Sequence, residues 1–332
     1  MTEERKKRIH TTNNVVSTMA STGVAAPSFR LLERLPTDTI AHVLGMLSLN
    51  EAVQLRRVSK LPGNQLVLPD NKSPLLDSAA LSSEQITAVL GSEKALQTIQ
   101  QAVWLTTSLA LRGVDSARLL SRLRFHHLQT LKLGAYDQGS LEPLAKLTQL
   151  QTLKLCSYEQ GSLEPLASLT QLQTLILGTY YDGSLEPLAK LTQLQTLNLC
   201  SYDKGSLEPL SKLTHLQRLD LWSYRRGNLQ PLASLTQLQT LDLFSYRQGS
   251  LEPLASLTRL ETLILRSENK CSLEPLATLT RLQTLDLFSY RQGSLEPLAK
   301  LTRLQTLDLT NYEDQASARS FFASVLPLLR VV

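Results

Sequence analysis

A chain of 332 residues with 42% hydrophobic but only 5% aromatic content has the apolar material for a sizeable core, and leucine supplies most of it. The formal net charge of +5 is the difference of 34 basic and 29 acidic residues, too even a balance to mark a nucleic-acid-binding chain. No apolar run approaches the ~20 residues that cross a bilayer, so neither nucleic acid nor membrane is an expected partner.

Residues 1–30 are polar and read as a disordered start. "RKKR" at Arg5–Arg8 is a solvated basic run, with nuclear import or phosphate contact as the weaker reading. No apolar stretch there suits a secretory signal, so the expected location is cytoplasmic or nuclear. Cysteine usage agrees. Cys156 and Cys200 fall two repeats apart, ~9–10 Å at ~4.8 Å per strand, beyond the ~7 Å that a disulfide spans. With Cys271 they read as free thiols of a reducing compartment.

Residues 31–62 are helical by pattern. Ile40, Val43, Leu44 and Leu47, then Leu55 and Val58, recur at helical spacing. Pro36 and Asp38 suit a helix start, and "SLNE" at Ser48–Glu51 is a capping box. On these grounds alone the segment is a small helical bundle or a cap. It also resembles an F-box: Leu35, Pro36, Asp38, Ile40, Val43, Leu44, Leu47, Leu55, Val58, Ser59 and Lys60 follow that family's order without a gap. The family's closing tryptophan is absent, and Leu61 and Pro62 stand there instead. The resemblance implies that Leu35, Pro36, Ile40, Val43, Leu44 and Leu47 contact the linker subunit of a cullin-type ubiquitin ligase. Residues 63–104 follow as a helical linker and N-terminal cap, from "SSEQITAVLG" and "SEKALQTIQQAV" with their serine caps and glycine stop.

Residues 105–332 are internally repetitive with a constant period. The unit is LxxLxLxxYxxGSLEPLAxLTx, opening at Leu128, Leu150, Leu172, Leu194, Leu216, Leu238, Leu260, Leu282 and Leu304. A weaker copy precedes it at Leu109 and Leu111. Another follows, with Leu326, Leu329 and Val331 expected one full period after Leu304, Leu307 and Leu309. Eleven rungs result. "TLxL" alternates and predicts a short strand. Leu141, Leu144, Leu147 and Leu150 lie three apart, which suits a 3₁₀ turn, with Ser140 as its cap and Pro143 tolerated early in it. Such rungs bury leucine only against each other and must stack. The repeats resemble the leucine-rich-repeat superfamily in its 22-residue class. The expected fold class is therefore α/β: a leucine-rich-repeat solenoid with a parallel sheet on the concave face, 3₁₀ turns on the convex face and a small all-α N-terminal segment.

Where that family usually carries asparagine, this chain has Tyr136, Tyr158, Tyr180, Tyr202, Tyr224, Tyr246, Tyr290 and Tyr312, interrupted by Glu268. Stacked inward rings whose hydroxyls reach backbone are the favoured reading, an exposed ligand-binding stripe the alternative. The rung with Glu268 also has Cys271 in place of glycine, so ring and glycine are expected to need each other.

The outward strand positions vary. From Asp220 onward aspartate, a large aromatic and arginine recur: Asp220, Trp222 and Arg225; Asp242, Phe244 and Arg247; Asp286, Phe288 and Arg291. Arg, Trp and Phe anchor interfaces, so these nine residues form the candidate surface for a target protein. In the competing reading the arginines neutralise the aspartates and the aromatics pack on neighbouring stems. Residues 242–255 repeat as 286–299, so recent duplication is a further source of the pattern. His10, His42, His126, His127 and His215 have no metal-ligand spacing, and no phosphate loop or nucleophile motif is present. No catalytic, cofactor or metal site is expected. The reading is a non-enzymatic ligase adaptor that captures a target, or else a free-standing scaffold.

Overall fold

The computed structural model describes residues 90, 91, 93, 96 and 100, then 107–332 except 113–115, 135–139, 157–160, 182, 203–204, 226, 247–248, 267–270, 289 and 291–292. The F-box-like segment 31–62, with Leu35, Pro36, Ile40, Val43, Leu44 and Leu47, lies outside the described residues, as do Tyr136, Tyr158, Arg247, Glu268 and Arg291.

Each "TLxL" forms a strand, and the strands hydrogen-bond side by side in chain order as one eleven-stranded parallel sheet. They are β1 (Ser108–Arg112), β2 (Thr130–Gly134), β3 (Thr152–Leu155), β4 (Thr174–Tyr180), β5 (Thr196–Ser201), β6 (Arg218–Asp220), β7 (Thr240–Asp242), β8 (Thr262–Ile264), β9 (Thr284–Asp286), β10 (Thr306–Asp308) and β11 (Arg330–Val331). The repeat period is the register itself: Leu131 pairs with Leu153, and Leu241 with Leu263. Alternate side chains point into the solenoid, so Leu131, Leu133, Leu153 and Leu155 are fully buried while Lys132 is exposed.

After each strand from β2 to β9 the chain makes a five-residue 3₁₀ turn, the first being Glu142–Lys146 and the last Glu296–Lys300. Leucines three apart share one face of such a turn and land in the core. Leu144 N–H bonds Leu141 C=O at 2.8 Å, and Leu147 N–H bonds Leu144 C=O at 2.8 Å. Proline occupies the first turn, where no intrahelical partner is lost. Ser140 does not stand at the cap position, which is Leu141; its Oγ instead accepts from Glu142 N–H at 3.2 Å, one residue further out. Small hydroxyls tie the convex faces of neighbouring rungs, as where Ser256 Oγ donates to Ala233 C=O at 2.8 Å.

The tyrosine column is a spine inside the solenoid. Tyr202, Tyr224 and Tyr246 are at most 1% exposed. Their rings stack on one another at 6.4 Å with interplanar angles of 6–7°, and Tyr290 stacks on Tyr312 at 6.4 Å. This is wider than the ~4.8 Å strand spacing, as offset ring packing requires. Tyr246, Tyr290 and Tyr312 donate to the carbonyls of Gly227, Cys271 and Gly293, each on an earlier rung. Tyr202 donates to Ser206 C=O at 3.3 Å on its own rung. A Cβ at Gly205, Gly227, Gly249 or Gly293 would overlap the hydroxyl of the rung's own tyrosine. The ring therefore requires the glycine on its own rung, and in the sequence Cys271 falls on the rung that has Glu268 in the column.

Two expectations are corrected. In the fourth rung the spine residue is Tyr181, not Tyr180. Tyr181 is 2% exposed and stacks on Tyr202 at 6.5 Å. The β4–β5 register shifts after Leu177 so that Tyr180 pairs with Ser201. The longer β4 moves the ring one place along the sequence. The last rung also departs from the common period, since Leu307 pairs with Val331. There helix α2 (Gln315–Val325) replaces the 3₁₀ turn and consumes more chain. Asp314 caps α2 by accepting from Ser317 N–H at 3.0 Å, and Ala318 and Phe322 of α2 are buried against the core.

At the opposite end helix α1 (Ser116–Arg122) buries Leu119 and Leu120. Leu96 joins the same core at 5% exposure. Gln100 bonds Arg124 twice, Oε1 accepting from the backbone N–H at 2.7 Å and Nε2 donating to the carbonyl at 2.8 Å.

Candidate functional site

On the sheet's outer face one residue per rung lies in each column. The central column reads Asn198, Asp220, Asp242, Ile264, Asp286 and Asp308, with Asp220 directly opposite Asp242 and Asp286 opposite Asp308. Aspartate at this position does more than add charge. Asp242 Oδ1 accepts the Phe244 N–H at 3.0 Å, Asp286 Oδ1 the Phe288 N–H at 3.0 Å and Asp308 Oδ1 the Thr310 N–H at 2.8 Å. A side chain that bonds the amide two residues on makes a local turn and withdraws that amide from the ladder. The residue after the turn is thereby presented on the face.

Those residues include Phe244 and Phe288, with Arg266 on the intervening rung; Trp222 takes the same column place one rung before Phe244. Trp222 is 48% exposed and meets Phe244 edge to face at 5.3 Å and 89°. The Arg266 guanidinium carbon lies 5.3 Å from the Phe244 ring centre and 5.7 Å from that of Phe288. Its Nε donates to Asp286 Oδ2 at 2.6 Å. At the other end Asn198 Nδ2 donates to Asp220 Oδ2 at 2.7 Å, and Cys200 Sγ donates to Asn198 Oδ1 at 2.9 Å.

Asp242 is the strained member. Burial, with repulsion from Asp220 and Asp286, pushes its carboxyl up to about 6, against the opposing pull of the Phe244 amide and Arg266. Burial also raises Asp220, with the Trp222 amide and Arg218 opposing it. Asp220 Oδ1 is buried, and no described group meets it in full hydrogen-bond geometry. Among the described residues neither Asp220 nor Asp242 has a cation within ion-pair distance, whereas Asp286 has Arg266.

The predicted surface is thus partly assembled. Asp220, Asp242, Trp222 and Phe244 stand together, and Asp286 and Phe288 join them through Arg266. Arg225 is exposed beyond the buried Tyr224, and no described aspartate is ion-paired to it. The neutralising arginine is Arg266, which the sequence reading left out of the site. It sits on the irregular rung 260–281, away from the repeated Arg225, Arg247 and Arg291 column. Its signal was a lone cation between two phenylalanines of one column.

No family model and no curated protein sequence matches the chain, so the F-box resemblance of 31–62 rests on its own residues. Solved structures do match. An internalin (inlF) from Listeria monocytogenes is 23% identical, with 72% of this chain and 69% of that one aligned at a TM-score of 0.59. A leucine-rich-repeat protein from Leptospira interrogans is 18% identical, with 71% of this chain and 74% of that one aligned at a TM-score of 0.52. The chain is a leucine-rich-repeat solenoid. Among the described residues of this leucine-rich-repeat chain no His, Cys, Asp and Glu cluster has metal-binding geometry, and no helix is long and apolar enough to cross a membrane.

Proposed function

We propose that this leucine-rich-repeat chain is a non-enzymatic protein-binding scaffold whose strand-side patch, centred on Trp222 and Phe244, captures a target protein. The observation that carries the reading is Trp222, 48% exposed on a rigid sheet and packed edge-on against Phe244. A half-exposed tryptophan held in place by the backbone is the residue type and setting of an interface anchor. The aspartates beneath it support the same reading, because half-buried carboxylates with no ion pair among the described residues are stabilised when a partner supplies the charge. A fixed scaffold also limits the ordering entropy that binding costs.

The finer form of the proposal is an adaptor of a cullin-type ubiquitin ligase. What supports it is the ordered series Leu35, Pro36, Ile40, Val43, Leu44 and Leu47 in 31–62. In that form the chain carries out no bond chemistry and raises the local concentration of the target near a transferring enzyme. The test is affinity capture on the full chain. Trp222→Ala/Phe244→Ala is expected to lose the captured target more than 10-fold while circular dichroism stays unchanged. Leu35→Ala/Pro36→Ala is expected to lose linker and cullin subunits and keep the target. Unchanged target capture by the first variant overturns the scaffold reading. Absence of ligase subunits from the unmutated chain overturns the adaptor form alone.

A further inference from the structure

Half of the patch already holds a cation, and it is the chain's own. Arg266 places its guanidinium between the rings of Phe244 and Phe288 and bonds Asp286. The other half, Trp222 against Phe244 above Asp220 and Asp242, repeats these residue types, and among the described residues no arginine is ion-paired to it. Among the described residues, every charged group whose field reaches these two carboxylates from outside the pair is on the sheet: Arg218 beside Asp220, and Arg266 and Asp286 beside Asp242. Arg266 is committed to Asp286, and Arg218 is exposed at the start of β6. A guanidinium stacks on an indole face and offers several donors in one plane, whereas an ammonium is a compact, strongly hydrated point charge.

We propose that the patch receives an arginine side chain from a basic segment of the partner protein, which lies on Trp222 against the charge of Asp220 and Asp242, as Arg266 lies on Phe288 and bonds Asp286. The inference rests on the scaffold reading above and names the partner's chemistry. Charge complementarity selects this occupant. The whole chain carries +5, so attraction of a basic segment is local to this face and not a property of the surface at large. Burial pushes the Asp242 carboxyl to about 6, and an arriving cation offsets that cost by favouring its ionised form.

The test uses the full chain and three labelled hexapeptides, of arginine, lysine and citrulline, read by fluorescence anisotropy at one salt concentration. Arginine is expected to bind at least 5-fold tighter than lysine, and citrulline not at all. Asp220→Asn/Asp242→Asn and Trp222→Ala are each expected to weaken the arginine peptide at least 10-fold. Glu142→Gln/Glu186→Gln on the convex face is expected to leave it unchanged. Asp242→Asn keeps an acceptor for the Phe244 amide, and thermal melts establish that each variant folds. Equal affinity for lysine and arginine, no binding, or binding indifferent to the patch variants overturns the proposal. If the peptides fail while Trp222→Ala/Phe244→Ala still abolishes target capture, the arginine is wrong and the scaffold stands. If that variant still captures its target, the scaffold reading falls with it.

Discussion

The rungs of β2–β5 and those of β6–β10 share one period and one set of buried leucines, yet they present different walls. In the first group the outward residues are Lys132, Lys154, Ile176 and Asn198, the strands run four to seven residues, and Gly134, Cys156, Gly178 and Cys200 follow. A Cβ on Gly178 would come within 3.2–3.3 Å of the Leu155 and Cys156 backbone, so the continuous sheet there leaves room only for small residues. In the second group each strand has three residues and ends at Asp220, Asp242, Ile264, Asp286 or Asp308. Aspartate takes the amide two places on, the ladder stops, and a large ring fits where glycine or cysteine stood before. Ile264 is short without an aspartate because both neighbours turn at the same level, and its carbonyl accepts from Leu243 of β7's rung at 2.8 Å. One column of side chains, bonding the amide two places on at Asp242, Asp286 and Asp308, converts a smooth sheet into an aromatic and acidic patch.

What the two groups share is the spine, and breaking it should hurt most. Gly227→Cys forces a Cβ into the Tyr224 hydroxyl and should cost about 2–4 kcal/mol, an overpacking clash at the upper end of its class. Adding Tyr224→Glu copies the pair found at Glu268 and Cys271. The double variant should lie at least ~1 kcal/mol above the sum of the singles in chemical denaturation, a coupling that independent sites do not show. An additive result would detach glycine from ring.

The spine also predicts an alkaline limit. Burial pushes Tyr202, Tyr246 and Tyr290 up to about 12 and raises Tyr224 and Tyr312 as well. An unfolded tyrosine ionises near 10. The fold therefore favours the neutral ring, and the stability this contributes is whole below pH ~10 and lost as pH rises from ~10 to 12. Melting temperature should fall steeply in that window, with tyrosinate absorbance appearing together with unfolding. Tyrosinate formed at its ordinary pH in a folded chain would contradict an internal spine.

The smallest effect sharpens the difference between the two groups. Asp242→Asn keeps an acceptor for the Phe244 amide and removes the charge. The carboxyl's raised pKa means that its ionised form opposes folding, so the acid's cost is absent below pH ~4 and complete above ~6. The variant should gain about 1–2 kcal/mol at pH 7.5, after allowance for solvent screening, and nothing at pH 4. A loss at pH 7.5 would mean that the carboxylate stabilises its rung, and the patch would then have no unmet charge to offer a partner.

Much of this was legible before any coordinates. The period named the strands, the turns, the core leucines and the glycine–tyrosine dependence, because each follows from spacing within a single rung. Failures came where two rungs had to be compared in space. Two adjacent tyrosines gave no local reason to prefer Tyr181 over Tyr180; the β4–β5 register shift did. Val331 pairs with Leu307, and not with Leu309 as the period required, because an eleven-residue helix stands where a five-residue turn was expected. Arg266 stands outside the repeated arginine column, on the irregular rung, so periodicity gave no reason to place it beside Asp286.

The sequence by itself determined that the rungs stack, since a short coil with leucine on every inward position cannot cover them alone. Only the tertiary structure decided which charges on the outer face meet. Neutralisation of Asp286 by Arg266, and the lack of an ion pair at Asp220 and Asp242 among the described residues, depends on reach and angle between neighbouring rungs, quantities set by the stacked sheet and carried by no single repeat.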